Sequence, residues 1–405
     1  MSKLDELIQQ LCPDGVEWKT LNDIGEFFGG LTGKSKNDFI DGNAAFITYS
    51  NIYSNPSLNL NIDEKVRIDD GEKQNVIQYG DILFTGSSET PDECGMSSVV
   101  TKEPTEKMYL NSFCFGLRLF ELDKFNFDYL KHLFRSAEIR KEICKTANGV
   151  TRFNVSKKKM GEIAIPLPPL PVQEEIVRIL DTFTESSNNL KEQIQMRRKQ
   201  YVEYRSKLLD IGMERQPLKD LIVKGYTGAT PLKSKTEYYE NGTIPWLRTQ
   251  EVCFNDIYST DCFITEEALN KTSVKWIPAN CVIVAISGAT AGRCAINKIP
   301  LTTNQHCLSL DIDKTKAIYK FVYYCMCRQN DELTGKKEGA RGDLNVSKVL
   351  GLKIPCPTLS EQQRIVSILD QFEASISNLE LQLKLRKKQY EYYRNQLLEF
   401  KKKEE

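Results

Sequence analysis

From residue 172 to residue 210 the chain contains neither Gly nor Pro, and its apolar positions recur at alternating steps of four and three. The series runs Ile176, Leu180, Phe183, Leu190, Ile194, Tyr201, Tyr204 and Leu208, completed by Ser187 and Arg197. The same stepping returns at Ile365, Leu369, Phe372, Ile376, Leu379, Leu383, Tyr390, Tyr393 and Leu397, with Arg386 at the equivalent interruption. An apolar stripe sustained over heptads, with charged residues between, predicts long helices that pair with one another. Pro168, Pro169 and Pro171 set the entry of the first helix, and Ser360 is an N-cap candidate for the second. Outside these stretches the pattern changes. Short apolar runs such as AAFITYSNI, GDILFTGS, MSSVVTK, FCFGLRLF, CVIVAISG and CLSLDI predict strands between turns, with helices at Phe127–Arg135 and Lys320–Cys327.

The chain is written twice. LPVQEEIVRILDTF from Leu170 aligns without a gap to LSEQQRIVSILDQF from Leu359, an offset of 189 residues, and MRRKQYVEYRSKLL from Met196 continues against LRKKQYEYYRNQLL from Leu385. Upstream the repeat is weaker but keeps its order. FNVSKKKMGEIAIPLP pairs with LNVSKVLGLKIPCP, LNSFCFGL with TNQHCLSL, GDILFTGSS with NCVIVAISG, and DGNAAFITYSNI with NGTIPWLRTQEV. Each half is a variable globular unit followed by a near-identical helix. The expected fold is α/β (α+β). Two similar globular domains are separated by a pair of long antiparallel coiled-coil helices in a circular pseudo-two-fold arrangement. The first helix leads away from one unit and the second leads back, with the segment Lys3–Leu11 near the end of the second helix. The divisions expected are 1–169, 170–212, 213–358 and 359–405. Arg197 and Arg386 could fix register, face a phosphate or a partner acid, or lay their stems along the seam with the head in water.

Charge is balanced, 55 basic residues against 55 acidic, so any nucleic-acid binding must come from local patches or from a basic partner. The 12 cysteines sit mostly among apolar neighbours and form no disulfide framework, which suits free thiols in a reducing compartment. The closest pair, Cys325 and Cys327, lacks the spacing of a zinc site, and the only histidines are His132 and His306. No metal ligands are expected. No signal peptide or membrane-length apolar run is present, so a cytoplasmic protein without a membrane partner is expected. GGLTGKS at Gly29–Ser35 is like a phosphate-binding loop, but Phe28 stands where that loop needs its first glycine. No methyltransferase, nuclease or nucleophile motif is found, so no catalytic residue is assigned.

Polar loops rich in Lys, Arg, Asn, Ser and Thr occupy equivalent places in both halves, and such side chains suit base edges and phosphates. The candidates for base or phosphate contact in the first unit are Lys34, Lys36, Thr48, Ser50, Asn51, Ser87, Arg152 and Asn154. In the second they are Thr230, Lys233, Arg248, Thr249, Gln250, Ser287, Arg341 and Asn345. Asn154 and Asn345 are equivalent, each preceding Val-Ser, and either could instead be a turn or cap residue. Trp246 beside Pro245 reads as core rather than as a stacking platform.

Over essentially its whole length the chain resembles the specificity subunits of Type I restriction-modification systems. The resemblance is carried by GVTRFNVSKKKMGEIAIPLPPLPVQEEIVRIL and its copy GARGDLNVSKVLGLKIPCPTLSEQQRIVSIL, and by LCPDGVEWKTLNDI and GATPLKSKTEYYENGTIPWLRTQEV. The first unit departs from the pattern, lacking the proline and tryptophan found at Pro245 and Trp246. The resemblance implies two target-recognition domains reading the halves of a bipartite site in double-stranded DNA. It implies helices that set the spacer and dock two methyltransferase subunits, and motor-nuclease subunits that can join. S-adenosylmethionine, ATP and Mg would belong to those partners, with no cofactor and no catalysis on this chain. From Ile176 to Leu208 the helix is about 50 Å long, or about 14–15 base pairs. Recognition surfaces set inside the helix tips then give a spacer of about 5–7 base pairs. The rival reading is a coiled-coil adaptor without sequence-specific DNA binding. A third is a nucleotide-dependent enzyme using Gly29–Ser35.

Overall fold

The computed structural model describes residues 2–210, 214–330 and 344–403. It divides into two compact units, one of residues 1–191 with 381–405 and the other of residues 192–380. The division falls inside both long helices, Leu170–Asp210 and Leu359–Leu397, so each unit contains parts of both. The chain is a mixed helix/strand fold, built twice.

The centre of the first unit is an antiparallel sheet ordered Gly25–Gly29, Cys114–Leu119, Ile82–Thr85, Ser97–Val99. Successive side chains of a strand point to opposite faces, and the sequence Ile82-Leu83-Phe84 uses this. Ile82 and Phe84 join one core with Phe115, Tyr129, Leu133 and Ile143, and the same core takes in Val172, Ile176 and Leu180 of the first long helix and Leu398 near the second. Leu83 faces the other way, into a core with Ala45, Ile47, Met108 and Leu110. Those residues come from a small sheet in which Ala44–Ile47 pairs antiparallel with Lys65–Val66 and parallel with Met108–Leu110. The helix Lys3–Leu11 contributes Leu4 to the first core, and Val16 bridges to Lys402, so the N-terminal segment does lie beside the end of the second long helix.

The second unit repeats the plan. Its sheet runs Ile222–Thr227, Cys307–Ile312, Val282–Ala285, Cys294–Asn297, Asp256–Ile257. Val282 and Val284 face a core with Phe321, Tyr324, Ile365, Leu369, Leu208 and Leu209, whereas Ile283 and Ala285 face Leu247, Val252 and Leu301.

A buried glutamine pins the start of each long helix to its unit. Gln173 is fully buried; its amide nitrogen donates to the carbonyls of Lys124 (3.1 Å) and Pro168 (2.8 Å), and its oxygen accepts from the Asn126 amide at 2.8 Å. Gln362 does the same with Lys316 (3.2 Å), Pro357 (3.0 Å) and the Ile318 amide (2.8 Å). In each, both amide hydrogens and one lone pair of the oxygen answer backbone groups that would otherwise be buried unpaired, which is why a polar side chain is tolerated there. Ser360 lies inside the second helix; Thr358 is the residue that caps it, its hydroxyl accepting from the Glu361 amide at 3.3 Å.

The heptad positions divide their work. Ile176 and Leu180, and their counterparts Ile365 and Leu369, sink into the globular cores. Further along, helix meets helix within each unit. In the first unit Phe183 stacks on Tyr393 with ring centroids 5.2 Å apart, and the Arg386 guanidinium lies 5.7 Å from the Phe183 centroid. In the second Tyr204 meets Phe372 at 5.4 Å, and Arg197 lies 5.7 Å from the Phe372 centroid. The seam arginines thus sit on aromatic faces, an arrangement that is favourable electrostatically and hides part of the arginine stem. Leu190 and Leu383 in the first unit and Ile376 and Leu379 in the second are half-buried, Ile194 is buried, and Leu397 packs against the first core. Among the described residues no helix is long and apolar enough to cross a membrane.

Polar groups lock the helices to the globular parts, differently in each unit. In the first, His132 is buried between Asp181 (2.9 Å from Nε2) and the Tyr390 hydroxyl (2.8 Å from Nδ1), while Lys131 reaches Asp181 at 3.0 Å. In the second, Lys320 reaches Asp370 at 2.8 Å, and the Tyr324 hydroxyl donates to Asp370 (2.5 Å) with Glu373 at 2.9 Å. Glu373 also accepts from Tyr201 at 2.9 Å.

Candidate functional site

Each unit carries a concavity beside the start of the strand Cys114–Leu119 or of its counterpart Cys307–Ile312. The first is about 580 Å³ and is lined by Tyr49, Ser50, Tyr53, Ser87, Phe113 and Arg152, with Glu89 and Glu93 on its rim. Arg152 is held in place. Its Nε and Nη2 donate to the Ser87 hydroxyl at 3.1 and 3.0 Å, and its guanidinium lies 5.5 Å from the centroid of Phe113, which is 60% exposed. The Tyr49 hydroxyl donates to the Ser87 carbonyl at 2.8 Å, and its ring stacks on Tyr53. Tyr53 donates in turn to Glu93 at 2.8 Å, a bond that holds the Glu93 carboxyl below its usual range and raises the phenol. A cation on an aromatic face beside a serine and two tyrosines is suited to a planar, electron-rich partner with acceptor groups on its edge.

The second concavity is larger, about 880 Å³, and is lined by Thr230, Lys233, Tyr239, Trp246, Arg248, Gln250, Asn304, Gln305 and His306 among others. Trp246 is buried as its floor, donating from Nε1 to the Ala229 carbonyl at 3.1 Å and meeting Tyr239 edge-on. The Thr230 hydroxyl donates to the side-chain oxygen of Gln305. Arg248 lies 3.7 Å from both Glu251 and Asp261, which reduces its net field toward the cavity.

Of the sixteen candidate residues, Ser50, Ser87 and Arg152 gather in the first concavity and Thr230, Lys233, Arg248 and Gln250 in the second. Lys36 and Asn154 are exposed outside these linings. Others are engaged structurally. Lys34 is mostly buried against Glu72 at 2.5 Å, and that bond, with Gln74 and the Asp69 amide, holds the Glu72 carboxyl down at about 2. The lysine of the phosphate-loop look-alike is therefore already neutralised. Thr48 caps the helix Tyr49–Ser54, its hydroxyl accepting from the Asn51 amide. Asn51 is buried, donating to the Asn59 carbonyl and accepting from the Asn59 amide and from Asn55. Asn345 caps the helix Val346–Leu350, accepting from the Ser347 amide at 2.8 Å. Thr249 begins a short turn of helix beside Arg248, and Ser287 precedes another at Gly288–Thr290. Arg341 lies outside the described residues.

Sequence reasoning passed over Tyr49, Tyr53, Phe113, Gln305 and His306. The last three sit at one corner built the same way twice. Asn111 donates its amide to Ile47 and Asn304 donates to Leu247; their side-chain oxygens accept from the amides of Phe113 (2.9 Å) and His306 (3.1 Å). The carbonyls of Phe113 and His306 accept from the amides of Gly86 (2.8 Å) and Ile286 (2.9 Å). Gly30 and Gly228 pass so close to the Asn111 and Thr303 carbonyls that a Cβ at either would collide with them. The pairing of LNSFCFGL with TNQHCLSL was the available signal.

Among the described residues no group of three or more His, Cys, Asp or Glu is placed to hold a metal ion. All 12 cysteines are free, and burial pushes Cys114, Cys281 and Cys307 up to about 12. The chain matches the model of the Type I restriction modification DNA specificity domain twice, over residues 13–197 and 211–386. It is 38% identical over 268 residues to the EcoR124I/EcoR124II specificity subunit of Escherichia coli, which covers 62% of this chain and 65%, just under two thirds, of that protein. The fold is similar to that of the S subunit of a Type I restriction-modification system from M. genitalium, with a TM-score of 0.53 and 15% identity over 95% of this chain and 96% of that one. It is also similar to a chain solved in work on the assembly and conformational transition of the type I R-M system. That match has a TM-score of 0.63 at 17% identity over 96% of this chain and 97% of the other.

Proposed function

The chain belongs to the family of Type I restriction-modification DNA specificity proteins, and from that premise we propose that it is the subunit that selects the DNA sequence on which such a complex acts. Each unit reads one half of a bipartite site in double-stranded DNA through its concavity and the loops around it. The observation that carries this reading is the coincidence of two repeats. The family domain occurs twice, and each occurrence holds a concavity that gathers a guanidinium with hydroxyl and aromatic groups beside the same repeated corner, joined by side-chain amides in the second. The long helices, of 41 and 39 residues, act as the ruler for a spacer of about 5–7 base pairs and as the dock for two methyltransferase subunits. Methylation and cleavage, with their S-adenosylmethionine, ATP and Mg, reside on those and the motor-nuclease partners, and this chain contributes recognition without catalysis. Its zero formal net charge supports a division of labour in which the partners supply much of the phosphate attraction.

The test is selection from a randomised duplex library by the chain together with its methyltransferase partner. Enrichment of two short motifs at fixed spacing is the expected result; an unenriched pool means an adaptor without sequence preference. Adding one heptad to both helices is expected to lengthen the spacer, and an unchanged spacer rejects the ruler.

A further inference from the structure

We propose that Gln305, at the tip of the repeated corner in the second unit, reads an adenine. The assignment rests on the recognition reading above and goes beyond it by naming one residue and one base. The corner is a rigid mount. The backbone bonds that hold Asn304 and His306 recur around Asn111 and Phe113, so what differs between the units at this point is not the frame but the side chain presented. In the first unit the tip offers Ser112 and a phenyl ring; in the second it offers Gln305 and His306. The tip residue that lines the concavity in each case, Phe113 or the pair Gln305 and His306, faces the other groups gathered there.

The chemistry of Gln305 is specific. A primary amide sets a donor beside an acceptor, the complement of adenine N7 and its N6 amino group in the major groove, and no other base offers that pair there. Gln305 is exposed, so the group is available to a ligand. Its orientation is set by the Thr230 hydroxyl, which donates to Oε1 and leaves a lone pair of that oxygen and both amide hydrogens for the base. A long polar side chain normally loses rotamer freedom on binding; here part of that ordering is present before DNA arrives. Gln250 lines the same concavity but sits on a different turn, without this mount.

Library selection with the full chain and its partner tests the assignment. The unaltered chain is expected to enrich an adenine in the half-site of the second unit. Gln305→Ala is expected to flatten the preference at that one position by roughly 5- to 150-fold, leaving the remaining positions unchanged. Gln305→Glu carries only acceptors and is expected to move the preference there to cytosine, whose N4 amino group donates. A normal split motif that neither substitution alters overturns this assignment alone. So does a loss spread evenly over all positions with an unchanged melting temperature, which marks a phosphate contact. Failure of the unaltered chain to enrich any split motif removes the recognition reading, and this assignment with it.

Discussion

In the first unit the corner at Asn111–Phe113 offers a phenyl ring backed by the Arg152 guanidinium, with tyrosines and carboxylates around it. In the second, the equivalent Asn304–His306 offers an amide and an imidazole over a tryptophan floor. Beneath both lie four strands in the same order, the same backbone bonds at the corner and the same buried glutamine at the start of a long helix, with a fifth strand, Asp256–Ile257, added in the second unit. The comparison separates two kinds of residue. Those that make the frame bond to backbone and recur; those exposed at the concavity, such as Phe113, Arg152 and Gln305, differ between the units and bond or pack against other side chains there. Chemistry can therefore be exchanged at the surface with little cost in stability, whereas the frame cannot be altered in one unit without weakening it.

The largest effect should come from the frame. Gln173→Ala removes this partner from one buried amide and two carbonyls, and Gln362→Ala removes the same three bonds, so each is expected to cost about 3 kcal/mol. Hydrogen exchange of residues 82–85 and 282–285 should show each substitution loosening its own unit. Equal loosening of both units by either one would break the equivalence. Next comes Arg152→Ala, expected to weaken binding to the first half-site about 10- to 100-fold. Discrimination at the second half-site should stay intact, measured by competition with duplexes altered in one half.

A smaller difference is pH-dependent. Burial holds the His132 imidazole below its usual 6.5. As the pH falls through that value the unfolded chain takes up a proton that the folded unit refuses, so stability present above pH 6.5 is lost below it. Asp181 adds to the loss at lower pH. Although burial would raise it, its bonds to His132 and Lys131 hold it below the usual carboxylate range. The second unit has Tyr324 where the first has His132, its hydroxyl on Asp370 as the imidazole is on Asp181. Protection of residues 82–85, corrected for intrinsic exchange, is expected to fall between pH 7.5 and 5.5 more than that of residues 282–285. His132→Phe is expected to reduce the difference, and a slope that survives that substitution assigns it elsewhere.

The smallest concerns the shared Asn-Val-Ser. In the first unit Ser156 caps the helix Lys157–Gly161; in the second Asn345 caps Val346–Leu350. Ser156→Ala and Asn345→Ala should each cost about 1 kcal/mol, and Asn154→Ala less than about 0.5 kcal/mol, by thermal melting.

That tripeptide also shows what the linear sequence can and cannot carry. The repeat, the long helices and the mixed fold are legible in it because they rest on periodicity and on an offset of 189 residues between Leu170 and Leu359. The order of the strands is not, since the neighbours of Ile82–Thr85 are Cys114–Leu119 and Ser97–Val99, and nothing local in the segment selects them. The concavities fall between. Arg152 and Gln250 stand out as polar loop residues, but so do Lys34 and Asn51, whose bonds to Glu72 and Asn59 depend on loops brought together only by the fold. Phe113 looks like core from its apolar neighbours; the corner, held by the Gly86 and Phe113 backbones, is what turns it outward.

The division of the chain inside its long helices bears on how it is made. The unit that emerges first from a ribosome is the one finished last, because its core needs Leu398 and its His132 network needs Tyr390. The unit of residues 192–380 has all its parts beforehand. At roughly 5–20 residues per second the earlier half waits roughly 10–40 s for its closing piece. During that interval the Phe183 side of the first helix, which Tyr393 covers in the finished unit, is expected to stand exposed. A nascent chain stalled after residue 380 is expected to be protected from protease in its second half before its first.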